Sequence, residues 1–363
     1  MKKLITIICI ALAIVSCKKD TEKKDIDVEE EITEPRAFKE VEIGMLLRDS
    51  ILNVRAIEIL EKDEMLYGNA SGGHGSYSYD SDRNSYWITP PYNINIDSLK
   101  FNFRAVSSTD NTAFFLSIGS PAYLVKQGAS GKKIVYQENH EKAFYDSIDF
   151  WNNQEGIAIG DPTENCMSII ITRDGGETWN KLSCDVLPKT KEGEAAFAAS
   201  DTNIAIVGDN TWVATGGKAS RILFSPDKGK TWEVFETPIV QGKETTGIYS
   251  LDFYDDKNGF AIGGDYTKAG DSTANKIRTQ DGGKTWQLVA QNQSPGYRSC
   301  VQYIPGRDAK ELVAVGFKGI DYSNNAGESW THLSDEGFYT LRFINDSVAY
   351  AGGSKRIAKL TFR

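Results

Sequence analysis

Thr172-Arg173-Asp174-Gly175-Gly176-Glu177-Thr178-Trp179 reads as a tight turn, and the chain repeats it three more times. The other copies are Ser225-Pro226-Asp227-Lys228-Gly229-Lys230-Thr231-Trp232, Thr279-Gln280-Asp281-Gly282-Gly283-Lys284-Thr285-Trp286 and Ser323-Asn324-Asn325-Ala326-Gly327-Glu328-Ser329-Trp330. Their common form is Ser/Thr-x-Asp-x-Gly-x-Thr-Trp, with Asn325 and Ser329 as the substitutes in the last copy. An apolar stretch precedes and follows each copy, so each is expected at the tip of a β-hairpin. The Asp side chain can accept hydrogen bonds from amides further round the turn. Glycine tolerates the positive φ where the chain reverses. The Trp opens the return strand and offers a large apolar plate to the next hairpin. These residue types fit a self-capping turn better than a catalytic role for Asp174, Asp227, Asp281 or Asn325. Trp179, Trp232, Trp286 and Trp330 likewise read as packing plates rather than ligand stackers.

Outward from the turns a second pattern recurs, in which one apolar strand leads to another that ends in glycine. Tyr145–Phe150 leads to Gly156–Gly160, Ala195–Ala199 to Ile204–Gly208, Ile248–Phe253 to Gly259–Gly263, Arg298–Tyr303 to Leu312–Gly316, and Tyr339–Phe343 to Val348–Gly352. Four short antiparallel strands per unit, with turn signals between, describe a propeller blade. The units fall at 145–184, 195–236, 247–290 and 296–333, with degenerate ones at 55–90 and 100–137 and a last one at 337–363. This predicts an all-β, seven-bladed propeller, with six or eight blades as alternatives. The last unit has only three strands of its own. Phe38–Ile43 is expected to supply the fourth, closing the ring and removing an exposed edge.

Ahead of residue 37 the chain is of another kind. A basic start at Lys2-Lys3, an apolar stretch from Leu4 to Val15 and the sequence Ile14-Val15-Ser16-Cys17 have signal-peptide geometry, too short to span a bilayer. The end resembles the lipobox of bacterial lipoproteins, which implies cleavage after residue 16 and a lipid on Cys17. Lys18 at the following position implies sorting to the outer membrane, on its periplasmic side or at the cell surface. Residues 17–36 are charged and lack aromatics, as expected of a disordered tether. The domain plan is then a leader at 1–16, a tether at 17–36 and one propeller at 37–363. Losing residues 1–16 removes two lysines and leaves a net charge of −11. That acidity argues against nucleic acid or an anionic membrane surface as the main partner, leaving the lipid as the only membrane contact of a monomeric chain.

Cys166 and Cys184 flank the first box turn, and reflection about Gly175 places them opposite one another, within disulfide reach in an oxidising compartment. A one-residue slip would instead send the two side chains to opposite faces. Cys300 reads as a small buried apolar residue. No Cys/His spacing suggests a metal, and no Gly-x-Gly-x-x-Gly fingerprint suggests a dinucleotide cofactor, so none is expected.

In a propeller, alternate strand connections gather on one face. The loops opposite the box turns carry Asp161, Glu194, Asp209, Trp212, Asp265, Tyr266, Tyr297, Arg298 and Tyr339, a set able to line a pocket at the mouth of a central channel. The four turns resemble the Asp-box, or bacterial neuraminidase, repeat. Gly160-Asp161-Pro162, Gly193–Ser200, Gly263–Tyr266 and Gly296–Ser299 resemble secreted bacterial propellers related to the photosystem II stability/assembly factors, often labelled oxidoreductases. That resemblance implies a lipid-anchored binding or assembly scaffold in the cell envelope, holding a protein or glycan partner. The alternative it leaves open is a sialidase-like glycoside hydrolase using Asp161, Glu194, Asp209 or Asp265. The Arg-Ile-Pro motif of sialidases has no counterpart ahead of the first box.

Overall fold

The computed structural model describes residues Arg36–Arg363 apart from Lys62, Asp63, Ser81 and Asn84. The leader, Cys17 and the tether lie outside the described residues. From Ala37 to Arg363 the chain is one unit built of short antiparallel strands, with one 3-10 turn at Tyr266–Lys268. Pairing groups the strands in fours along the chain. Blade 2 is Phe103–Thr109, Thr112–Ser117, Ala122–Gly128 and Gly131–Glu138. Blade 3 is Tyr145–Phe150, Gly156–Gly160, Ser168–Thr172 and Asn180–Lys181. Blade 4 is Ile204–Val207, Asn210–Ala214, Arg221–Ser225 and Glu233–Glu236. Blade 5 is Thr246–Phe253, Gly259–Asp265, Lys276–Thr279 and Gln287–Leu288, and blade 6 is Cys300–Tyr303, Leu312–Gly316, Gly319–Ser323 and Thr331–Ser334.

Two long strands join the ends of the chain. Val41–Glu61 pairs with Val348–Phe362 over its first part, Val41 opposite Phe362 and Arg48 opposite Arg356. After a register break between Arg48 and Asn53 it pairs instead with Glu64–Asn69, Val54 opposite Asn69. The break divides one sheet into blade 7, completed by Thr340–Phe343, and blade 1, completed by Gly73–Asp80 and Ser85–Ile88. The closing strand is therefore longer than Phe38–Ile43, and Phe38 itself lies ahead of it with its ring against Tyr322 and Phe362. The first strands of successive blades pack side by side, and that of blade 7 meets that of blade 1.

The core lies between the sheets. Each strand alternates, one face turned to each neighbouring blade, so both faces are apolar and the strands read as nearly continuous Ile, Val, Ala and Phe. Between blades 4 and 5, Trp212 is fully buried with its ring stacked on Phe253 at 3.7 Å. Between blades 2 and 3, Phe114, Phe150 and Trp179 pack together. The four box turns share one bonding pattern. Asp174 accepts from Thr178 N at 2.9 Å, from Thr178 Oγ1 at 2.6 Å and from Thr172 Oγ1 at 2.8 Å. The same bonds recur at Asp227 and Asp281, and Asn325 keeps the amide bond from Ser329. Gly176 sits at φ 74°, where a side chain would strain the turn. Trp232, Trp286 and Trp330 donate their indole N–H to the carbonyls of Gly229, Gly283 and Gly327.

Cys166 and Cys184 form a disulfide, Cα to Cα 5.4 Å. It lies beyond the ladder, because Asn180–Lys181 is only two residues long and Ile170 pairs with Lys181. Cys300 is free and buried.

Blade 4 departs from the expected layout. Ile204–Val207 is its first strand, not its second, and Asn203 follows a segment that leaves the sheet altogether. Glu194-Ala195 pairs with Gly216-Gly217, and residues 196–203 then run down the axis as a strap. Ser200 donates to Ser299 O, Thr340 donates to Ser200 O, and Arg342 donates to Asp201 O. The Asp201 carboxylate accepts from Val106 N, Ser147 Oγ and Ile148 N. The strap thus touches blades 2, 3, 6 and 7 and plugs the centre of the ring.

Candidate binding bowl at the loop face

The connections that enter each first strand and those between second and third strands open on one face. Into it the strap presents Ala195–Ala199 as a floor of methyl groups and carbonyls. Around that floor stand Arg55, Arg104, Phe144, Asp161, Glu244, Tyr249, Tyr266, Tyr297, Phe317 and Tyr339, enclosing about 430 Å³.

Arg55 and Arg104 dominate its electrostatics. Both open a first strand, in Val54-Arg55-Ala56-Ile57 and Phe103-Arg104-Ala105-Val106, and each falls at a break in its ladder's register, which takes its side chain out of the strand's alternation and lets it reach the bowl. The Arg55 guanidinium lies 3.9 Å over the Tyr339 ring and donates to Ala199 O at 3.2 Å. Arg104 donates to Ala198 O at 3.3 Å and to Asn102 Oδ1 at 3.2 Å. Neither makes an ion pair with a carboxylate among the described residues. Burial lowers both, and Arg104, with Arg55 beside it, falls to about 10. Each guanidinium has five donors, so both keep N–H groups for an incoming anion.

Most of the remaining wall is aromatic, with Asp161 and Glu244 as its two carboxylates. Phe197 and Tyr249 stack face to face at 3.8 Å, and Tyr297 meets Tyr249 edge-on at 4.8 Å. Gly216 makes room for the Phe197 ring, since a Cβ there would come within 2.2 Å of it. Tyr266 and Phe317 stand half exposed at the rim, at 48% and 41%. Asp161 accepts from Ala196 N at 2.8 Å and pins the floor, and burial raises it to about 6.

Of the nine loop residues singled out from the sequence, Asp161, Tyr266, Tyr297 and Tyr339 line this bowl. Glu194 is buried in an ion pair with Arg221, Nη2 to Oε2 2.6 Å, and also accepts from Thr215. Arg298 is likewise buried against Asp321 at 2.6 Å. Asp265 caps the 3-10 turn by accepting from Thr267 N; burial opposes its ionisation, but the Thr267 bonds hold it below the usual carboxylate range. Trp212 belongs to the interblade core. Asp209 lies on the other face: with Ile204–Val207 as first strand, its turn joins strands one and two, beside the box, where Lys228 N bonds Asp209 O. These five are corrected from pocket residues to framework or opposite-face residues. Their polar type was legible, but whether a loop carboxylate meets a partner inside the fold depends on the neighbouring loop. Arg55 and Arg104 were missed; the signal was an arginine at the same place in two otherwise apolar stretches, Val54–Ile57 and Phe103–Val106.

Among the described residues no group of His, Cys, Asp and Glu is placed to hold a metal ion. Among the same residues no helix is long and apolar enough to cross a membrane.

No family model and no curated protein matches this chain at the level of sequence. Solved structures do match. The structure titled YCF48 bound to D1 peptide aligns with a TM-score of 0.63 at 13% identity, covering 90% of this chain and 98% of that one. YCF48 from Cyanidioschyzon merolae gives 0.61 at 13%, over 89% and 99%. The WD40 β-propeller domain of Doa1 gives 0.54 at 12%, over 89% and 97%. At such identities the likeness establishes the architecture: the chain is an all-β propeller whose structure resembles YCF48.

Proposed function

We propose that the chain is a binding or assembly scaffold that receives a segment of a protein partner in the bowl. The observation that carries this reading is the pair Arg55 and Arg104, two guanidiniums with no carboxylate partner, set in an aromatic cup. Such a cup suits a peptide that presents an anionic group beside an apolar side chain. A similar propeller, YCF48, has a structure with D1 peptide bound. A lipid on Cys17 would tether a monomeric propeller to the cell envelope and bring the bowl to partners there. The hydrolase alternative needs two carboxylates across one pocket. Of the four carboxylates on which that alternative rests, Glu194 is consumed by Arg221, Asp209 lies on the other face and Asp265 caps a turn; Asp161, which lines the bowl with Glu244, is tied to Ala196 N, and the two unpaired guanidiniums beside them favour binding.

A peptide library with free C-terminal carboxylates, screened beside its amidated twin, tests the reading. Binding is expected to favour acids, with an apolar residue next to the anionic group, and to fall at least tenfold in Arg55→Ala/Arg104→Ala. Equal retention of acids and amides, or a double variant that binds as well as the parent, would sink it.

A further inference from the structure

Beneath the strap the axis opens again, into a second chamber of opposite character. It encloses about 180 Å³ and is lined by Glu58, Asp149, Asp201 and Asp252 from blades 1, 3, 5 and the strap, with Gln302 and Arg342 from blades 6 and 7. Four carboxyls thus face one guanidinium. Three of the four carboxyls also tie chain segments together at the ring's centre. Glu58 Oε1 accepts from Ser108 N at 3.1 Å in blade 2, and Asp252 Oδ2 accepts from Tyr303 N at 2.7 Å in blade 6. Asp201 binds blades 2 and 3, and Asp149 Oδ1 accepts from Phe150 N at 2.7 Å. Gln302 Oε1 makes the equivalent bond to Phe343 N at 3.2 Å in blade 7, so an uncharged side chain fills one of these positions.

We propose that this lower chamber is a proton-binding ring, which tightens the propeller about its axis when its carboxyls are protonated and loosens it when they ionise together. Fully ionised, the chamber sets four carboxylates against one guanidinium in about 180 Å³, with Asp201 buried and Glu58, Asp149 and Asp252 half-buried, and in so confined a space like charges repel more strongly than in open water. The groups facing the carboxyls are few. Arg342 acts on all four, Asp149 and Glu58 face each other, and the Tyr303 hydroxyl and buried Cys300 thiol complete the titratable set. Burial first, and the neighbouring carboxyl at Glu58, raise Glu58 to about 7, Asp149 to about 6, Asp201 to about 8 and Asp252 to about 7. The sign follows. Carboxyls raised above their unfolded values bind protons preferentially in the fold, so their contribution is complete below about pH 4 and is lost as pH rises through 6 to 8.

The test is the unfolding midpoint of the propeller from pH 5 to 8.5, parent beside Glu58→Gln/Asp149→Asn/Asp252→Asn. The amides keep each acceptor oxygen and remove only the charge. Asp201, which accepts three donors, is left alone. The parent should lose stability as pH rises, and the triple variant should lose less than half as much over the same range. Other groups titrate there, so the difference between the two curves is the reading. Identical pH slopes would overturn the proposal. If the triple variant does not fold, the carbon-13 titration of the side-chain carboxyls in the parent decides: midpoints all below pH 5 would refute the ring. Repeating the melts with EDTA and with calcium adds a second arm. A calcium stabilisation confined to high pH and absent from the triple variant would replace the proton ring with a cation site.

Discussion

Glu194 and Arg221 show what a buried charge contributes at the scale of one residue. Both side chains are nearly inaccessible, and the pair is bidentate, with Thr215 Oγ1 and the Lys189 carbonyl taking up further bonds. Breaking such a pair strands a charge, which costs more than the pair contributes relative to apolar replacements. Arg221→Met is therefore expected to cost about 3–5 kcal/mol in denaturant unfolding, and Glu194→Leu added to it should recover a substantial part. Additive losses in the double variant would contradict this account. His74 makes the complementary case. It is 1% exposed, sandwiched between Tyr92 at 4.2 Å and Phe115 at 4.5 Å. Burial and the nearby Lys132 lower it to about 4. A depressed histidine leaves the unfolded chain with the greater proton affinity, so stability is complete above about pH 6.5 and falls as pH drops to 4, by about 3 kcal/mol. His74→Leu should remove that component of the acid slope, and an unchanged acid limb would refute it.

Elements were legible in proportion to how local their chemistry is. The box turns were plain because their Asp, Gly and Trp act within eight residues of one another. The closing strand was foreseen from a missing partner, since a three-stranded last unit leaves an edge that has to be covered. The strap was not foreseen. Ala195–Ala199 has the apolar composition of an inner strand, and nothing within it records that Arg55 and Arg104 wait on two other blades to bond its carbonyls, or that Ser299 and Thr340 on two more bond Ser200 beside it. That one displaced element shifted Asp209 and Trp212 in the reading of the face. The disulfide belongs to this scale too. It closes an 18-residue separation around a turn whose outer strand has only two paired residues. Cys166→Ala/Cys184→Ala is expected to cost about 3 kcal/mol by the loop-entropy relation, read as a lower unfolding midpoint. A midpoint equal to the parent's would show that the hairpin holds without its staple.

At the scale of the molecule, the ring depends on a contact between its two ends. Val41–Arg48 supplies the outer strand of blade 7, and Val41, Ile43 and Met45 pack into the cluster that holds Leu360, Phe362 and Tyr322. The same continuous strand becomes the first strand of blade 1 and brings Arg55 to the bowl. Closure and site are thus one element read in two places. A chain beginning at Leu52 keeps Arg55 but leaves Ser354–Phe362 as an unpaired apolar edge, the kind of surface that recruits other chains. It is expected to unfold at a lower denaturant concentration and to elute as oligomers in size-exclusion chromatography. A synthetic peptide spanning residues 37–51 should return it to the parent's elution volume, because that peptide carries the missing register against Phe362 to Arg356. A truncated chain that elutes like the parent and is as stable would show that interblade packing alone closes the ring. A peptide with Val41, Ile43 and Met45 changed to Ser separates the two contributions: it keeps the backbone ladder while losing the apolar contacts, and it should fail to rescue if burial drives closure.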